Sequence, residues 1–291
     1  MPRVKFRNIR NLNTITLYII IMKKFLAAML AAIVALPACA QDKSNFKEKV
    51  VFQNQDVEIH QIDEHTWHGN GNLMYNESIY LIEGSERAIL IDAGTKIPGL
   101  RKIVEDIVKK PVELVISHAH GDHIGAVGEW DTVWINAADE AIIPAGKYNG
   151  VKRYLTDGQV FDLGGRQIEV VFTPGHTPGS TTFLDKEAHY GFSSDAFGSG
   201  NLLVFTDLST EAASANRLMR FIKKYDIKYL YPGHYWGYNL ETPQRIQDVG
   251  EMCNGLLDGT MKPNQEGERN GMQFILNDRG VKINYGPKGI R

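Results

Sequence analysis

Three histidines and an aspartate fall within six residues in Ser117-His118-Ala119-His120-Gly121-Asp122-His123. Imidazole and carboxylate are donors that zinc takes, and in small number they leave room for a water. In an extended loop the side chains of His118 and His120 point the same way, because side chains alternate with period two. Gly121 then gives the backbone freedom for a turn that carries Asp122 and His123 to a neighbouring point. A solvated polar loop does not need this density of metal donors. Three more residues share the setting. His176 lies in Thr173-Pro174-Gly175-His176-Thr177-Pro178-Gly179, Asp195 follows Ser193-Ser194, and His234 follows Tyr231-Pro232-Gly233. Each comes directly after a short apolar run, at the strand C-terminus where α/β active sites gather.

The elements that must hold these residues alternate along the chain. Val57–Ile62 and Ser78–Glu83 alternate apolar and polar positions, as half-buried strands do. Arg87–Ile91 is a short apolar strand ending at Asp92-Ala93-Gly94. Ile97–Lys109 puts Ile97, Leu100, Ile103, Val104 and Ile107 on one helical face, and Pro111 stops it before the strand Val112–Ile116. Gln167–Phe172, Thr181–Leu184, Tyr190–Ser193 and Ile227–Tyr231 read as strands, Ser209–Tyr225 and Pro243–Leu257 as helices. Phe274–Ile283 reads as a hairpin turning at Asn277-Asp278-Arg279-Gly280. Two sheets with helices outside is the architecture this order predicts.

With those motifs in order, residues 57–240 resemble the metallo-β-lactamase fold superfamily. The resemblance rests on His118-x-His120-x-Asp122-His123, then His176, Asp195 and His234, with Asp92 matching an early strand-end aspartate. It implies a four-layer αβ/βα sandwich with the site at one edge. It implies a first metal on His118, His120 and His176, and a second on Asp122, His123 and His234, with Asp195 bridging and Asp92 orienting a ligand histidine. Two Zn2+ per chain are expected, with Fe or Mn as alternatives. Zinc β-lactamases usually lack the aspartate at 195, whereas glyoxalase II-like thioesterases, lactonases and the phosphodiesterase branches have it. The diiron oxygen-reductase branch carries an acidic residue where this chain has His120.

Two cations about 3.5–4 Å apart share a water and hold it as hydroxide near neutral pH. Asp122 is placed to orient that nucleophile and take its proton. The expected activity is hydrolysis of a small ester, thioester or lactone. A β-lactamase, a phosphodiesterase and a non-catalytic metal protein are the competing readings. Gly69–Asn76 reads as a flexible, partly apolar loop over the site, offering Met74 and Tyr75 to a substrate. Tyr235, Trp236 and Tyr238 follow His234 and serve either a pocket or packing. His60, His65, His68 and His189 have no metal-like partner nearby in sequence.

The remaining composition sets bounds. The chain has 291 residues, 43% hydrophobic and 23% charged, enough for a full core. The first 40 residues hold six of the 32 basic residues and none of the 34 acidic ones, so the body is acidic by eight charges. That argues against nonspecific nucleic-acid binding and for a small-molecule substrate. Lys23-Lys24, the apolar run Phe25–Leu36 and Ala38-Cys39-Ala40 read as a signal segment over residues 1–40, with Met22 a candidate start. Export to the periplasm or beyond follows, with no stable membrane span and with a lipid anchor on Cys39 as the alternative. Residues 41–56 read as a linker or N-terminal extension and 57–291 as a single domain. Cys253, the other cysteine, reads as a small core residue in a helix.

Overall fold

The computed structural model describes residues 45–289, so the signal segment and Cys39 lie outside the described residues. Eight strands form the first sheet in chain order: β1 (Lys49–Gln53), β2 (Val57–Asp63), β3 (Thr66–Gly71), β4 (Ser78–Glu83), β5 (Ala88–Ile91), β6 (Val112–Val115), β7 (Thr132–Ile135) and β8 (Val151–Tyr154). The chain meanders antiparallel through β5, and β5 to β8 run parallel. In the second sheet the order is β14-β12-β11-β10-β9. Its strands are β9 (Val160–Asp162), β10 (Gln167–Phe172), β11 (Thr181–Asp185), β12 (Tyr190–Ser194) and β14 (Tyr229–Pro232). A smaller sheet joins β13 (Asn201–Val204), β17 (Val281–Tyr285), β16 (Met272–Asp278) and β15 (Gln265–Arg269).

Side-chain alternation divides the interior into layers. Along β5, Ala88 and Leu90 face helix α1 (Leu100–Val108), while Ile89 and Ile91 face the second sheet. Both faces are covered, which is why this strand reads as a continuous apolar run. On α1, Leu100, Val104 and Val108 are the buried positions, spaced by four, and burying each contributes about 1.5–3 kcal/mol. The helix stops at Lys109, which takes a left-handed φ of 55°, just before Pro111. Between the sheets lie Tyr80, Phe183, Phe192 and Tyr231. On the far side, α2 (Leu208–Tyr225) and α3 (Pro243–Asp258) cover the second sheet with Leu218, Ile222, Ile246 and Val249. Asp207 caps α2 by accepting from Thr210 N, and Thr242 caps α3 ahead of Pro243. The result is the αβ/βα sandwich.

Two expectations need correction. Gly69, Asn70 and Gly71 are not part of a flexible loop: they form the fully buried end of β3, paired to both β2 and β4. Glycine content read as a loop there, but the small residues allow close packing against Ile79 and Ile59. The polar stretch read as an extension already contains a strand, because Lys49–Gln53 pairs with β2 as the sheet's edge. Cys253 is buried in α3 as expected.

Candidate metal centre

Five strand ends deliver the predicted donors to one edge of the sandwich. The segment after β5 brings Asp92, that after β6 brings Ser117 to His123, and the segments after β10, β12 and β14 bring His176, Asp195 and His234. Three ties close this edge across the sheets. Ser78 N donates to Gly233 O at 2.7 Å, Tyr80 OH donates to Pro232 O, and Thr181 N donates to Ser117 O at 3.0 Å. Asp92 and Ser194 hold positive φ values of 65° and 47°. Such non-glycine conformations cost about 1–3 kcal/mol each and gather at functional sites. Gly121 is not among the left-handed residues, so the turn to Asp122 does not use the glycine freedom expected of it. Glycine is needed instead at 233, where a Cβ would run into Asp195 Oδ1.

The donor atoms converge in two sets. Those of His118, His120 and His176 lie within 4.8 Å of one another, and so do those of Asp122, His123 and His234. Asp195 Oδ2 sits between them, 4.0 Å from His118 Nε2, 3.7 Å from His176 Nε2, 3.7 Å from His123 Nε2 and 3.3 Å from His234 Nε2. Asp122 Oδ2 is 3.9 Å from His123 Nε2 and 3.7 Å from His234 Nε2.

Hydrogen bonds on the far side of each ring fix which nitrogen faces inward. His123 Nδ1 donates to Asp92 Oδ2 at 2.9 Å. His118 Nδ1 donates to Ser117 Oγ at 3.1 Å, and Ser117 Oγ donates in turn to Asp92 Oδ2 at 2.7 Å. His176 Nδ1 donates to Leu203 O at 2.8 Å, and His234 Nδ1 donates to Tyr75 O at 3.0 Å. All four present Nε2. His120 instead turns Nδ1 inward, 2.9 Å from His176 Nε2. His118 Nε2, His123 Nε2 and Asp195 Oδ1 are buried with no hydrogen-bond partner among the described residues. Buried donors and acceptors left unpaired are costly, and a cation in each set would satisfy the histidine nitrogens facing it. The donor chemistry and the inward-facing nitrogens therefore fit metal ions in both sets.

The two sets differ in charge. Burial holds His118 and His120 below the usual histidine range, with neighbouring imidazoles adding to the effect, and burial takes His176 down to about 4. These are neutral rings at pH 7, ready to donate lone pairs. Burial opposes charge on His123 and His234 too, but there Asp195 outweighs it, with Asp92 helping at His123, and both rise. Asp195 is held well below the carboxylate range: burial opposes this, and His234 and His123 override it.

A cavity of about 470 Å³ opens over the donors. Met74, Tyr75 and Trp236 line it, together with Leu203 and Phe205. Phe205 packs edge-on against His120 and His176, with centroids 5.2 and 5.4 Å away. Tyr235 does not line it: the ring is buried between the sheets against Tyr231, Phe46 and His68. After Gly233-His234 the chain alternates faces, so Tyr235 turns inward and Trp236 outward. Tyr238 is 71% exposed and is not among the lining residues. His68 stacks on His60 at 4.7 Å away from the donor sets. The sequence reading missed Ser117, Ser194, Glu77 and Asp139. Ser117 and Ser194 carried a faint signal, each sitting directly before a donor at a strand end. Glu77 and Asp139 carried none.

The family model of the metallo-beta-lactamase superfamily matches residues 75–234, more than half of the chain. The acyl-coenzyme A thioesterase MBLAC2 of Gallus gallus is 26% identical over 210 residues, covering 58% of this chain and 76% of its own. Its Homo sapiens counterpart is 26% identical over 213 residues with the same coverage. A metallo-beta-lactamase from Pontibacter korlensis superposes with a TM-score of 0.54 at 18% identity, over 68% of this chain and 99% of its own, and so shares the fold. Fold, matched residues and converging donors together place this chain in the metallo-beta-lactamase superfamily.

Proposed function

We propose that the protein is an exported, dinuclear metal-dependent hydrolase of acyl thioesters, with small esters and lactones as related substrates. The observation that carries the reading is Asp195 Oδ2 lying within 4.0 Å of Nε2 atoms from both donor sets, at the floor of an apolar-sided cavity. His118, His120 and His176 would hold one ion, Asp122, His123 and His234 the other, with Asp195 shared. Zinc suits these nitrogen and oxygen donors, and bound ions would supply Lewis acidity and a nucleophile at neutral pH.

The chain's own groups do the rest. Asp122, partly exposed at the cavity floor, takes the proton as water adds to the thioester carbonyl. The C–S bond then breaks, Asp122 returns the proton to the departing sulfur, and a carboxylic acid and a thiol are released. Leu203, Phe205, Met74 and Trp236, which line the cavity, hold the acyl portion and exclude water. The thioesterase names of the relatives support an acyl thioester over a β-lactam. Assaying purified protein against acyl thioester, ester, lactone, β-lactam and phosphodiester substrates tests it. Thioester turnover is expected to lead, and β-lactam or phosphodiester turnover in its place would refute the assignment. N-terminal sequencing of native material tests export: loss of residues up to 38 or 40 is expected, and an intact Met1 or Met22 counts against it.

A further inference from the structure

Asp139 is fully buried, yet it makes no ion pair among the described residues. It lies in the short 3-10 turn Ala137–Ile142 that follows β7, opened by Asn136, whose side chain accepts from Ala138 N. Its carboxylate is spent wholly on two other loops. Ala119 N donates to Oδ2 at 2.9 Å, and Thr177 Oγ1 donates to the same oxygen at 2.8 Å. Gly179 N donates to Oδ1 at 2.6 Å. Glycine at 179 is required by that approach, because a Cβ there would press into the carboxylate.

The identity of these partners gives the contact its meaning. Ala119 stands between His118 and His120, and Thr177 directly follows His176. Those three histidines are one complete donor set, and they arrive from two loops far apart in sequence. One carboxylate therefore clasps both loops of that set; the first of them also carries Asp122 and His123, but the bonds fall on the residues next to His118, His120 and His176. The set contains no carboxylate of its own, so a cation there would be balanced only by the shared Asp195. A buried, hydrogen-bonded anion one residue away adds the missing negative charge.

We propose that Asp139 is a positioning residue for the first metal set: it fixes the His118–His120 loop against the His176 loop and supplies charge to the cation they hold. This rests on the reading that His118, His120 and His176 bind a metal. Asn at 139 keeps the shape but offers one acceptor and one NH2, so it must oppose a donor either at Ala119 and Thr177 or at Gly179. Loss of such an orienting partner typically weakens a metal site about 10–100-fold.

The experiment isolates the first set by removing a ligand of the second. Chelator-stripped His234→Ala protein is titrated with Zn2+ in a calorimeter, with and without Asp139→Asn. The single tight site left in His234→Ala is expected to weaken about 10–100-fold when Asp139→Asn is added. In the otherwise unchanged chain, Asp139→Asn should weaken one ion and leave the other tight. Co2+ absorption spectra should change at the weakened site. If Asp139→Asn fails to fold, Thr177→Val removes one of the three bonds at nearly constant volume and should weaken the same site by a smaller factor. Unchanged affinity and spectrum in the folded variants would overturn the role of Asp139. Failure of the unchanged protein to bind Zn2+ would instead overturn the metal reading itself.

Discussion

Opposite edges of the sandwich treat buried polar groups in opposite ways. At the edge away from the metal centre, Arg166 reaches between the sheets and every nitrogen of its guanidinium is engaged. Nε pairs with Asp185 at 2.7 Å, one terminal nitrogen donates to His65 O and Glu83 O, and the other donates to Thr66 Oγ1 and Tyr190 OH. Tyr190 OH in turn donates to Asp63 at 2.5 Å. At the metal edge the ties lie behind the histidines, and the inward His118 Nε2 and His123 Nε2 are left without a hydrogen-bond partner among the described residues. A polar cluster that satisfies itself is a clamp. A cluster that orients its members and leaves their lone pairs pointing at one place is built for something else to complete it.

The sharpest way to break this contrast is to exchange one residue at each edge. Asp195→Asn keeps size and removes the charge shared by both donor sets. Turnover should fall by at least about 10–100-fold with weaker binding of one ion, while the melting temperature moves little. Full activity with two bound ions would remove Asp195 from the centre. Arg166→Met should do the reverse. Breaking a buried pair by removing one partner costs about 3–5 kcal/mol, and Arg166, with 14% of its side chain still exposed, should fall at the lower end. The folded fraction should keep its kcat, and a kcat loss without a stability loss would erase the distinction between the edges.

A third substitution sharpens the account of the cavity wall. Phe205→Ala leaves Leu203 O in place to orient His176, so metal content should stay unchanged. KM for a long-chain acyl thioester should rise about tenfold, and KM for an acetyl thioester much less, at about 0.8 kcal/mol per methylene uncovered. An equal change for both substrates would remove Phe205 from acyl binding. The smallest effect separates the two donor sets by proton count. His118, His120 and His176 are lowered, whereas His123 and His234 are raised. Just above the ordinary histidine value of about 6.5, metal-free protein therefore still holds protons on the second set only. Calorimetry in buffers of different ionisation enthalpy should register proton release for one ion and not the other. The same sign governs stability: the raised histidines contribute fully below about pH 6.5, and their contribution fades as pH rises through their folded values. Above about pH 7.5 the three lowered histidines are neutral in both states and add no slope, so metal-free protein should melt at a lower temperature at pH 9 than at pH 7.5.

The converging histidines and aspartates were legible in the sequence because ligand chemistry allows few substitutes for imidazole and carboxylate, and because a short apolar strand precedes each of them. The layers were legible for a related reason: strands covered on both faces, such as Ala88–Ile91, have nowhere to place a polar residue. Asp139 and Glu77 were not legible. Both serve by accepting backbone N–H groups, Glu77 taking Met74 N at 2.9 Å, and any exposed acid looks the same in one dimension. Gly69–Gly71 misled in the other direction, since glycine that admits a neighbouring side chain reads like glycine that makes a loop. Tyr235 and Trp236, just past the end of β14, show the limit at one-residue scale, where the side to which each of two adjacent side chains points decides which aromatic meets the cavity.

Metal-dependent turnover is the most direct test of the central claim. Chelator-stripped protein is given Zn2+ in increments, and bound metal and acyl thioester hydrolysis are recorded on the same samples. Hydrolysis should be absent without metal and should reach its plateau at about two ions per chain. Full turnover by the metal-free protein, or a plateau at one ion, would contradict a dinuclear hydrolase.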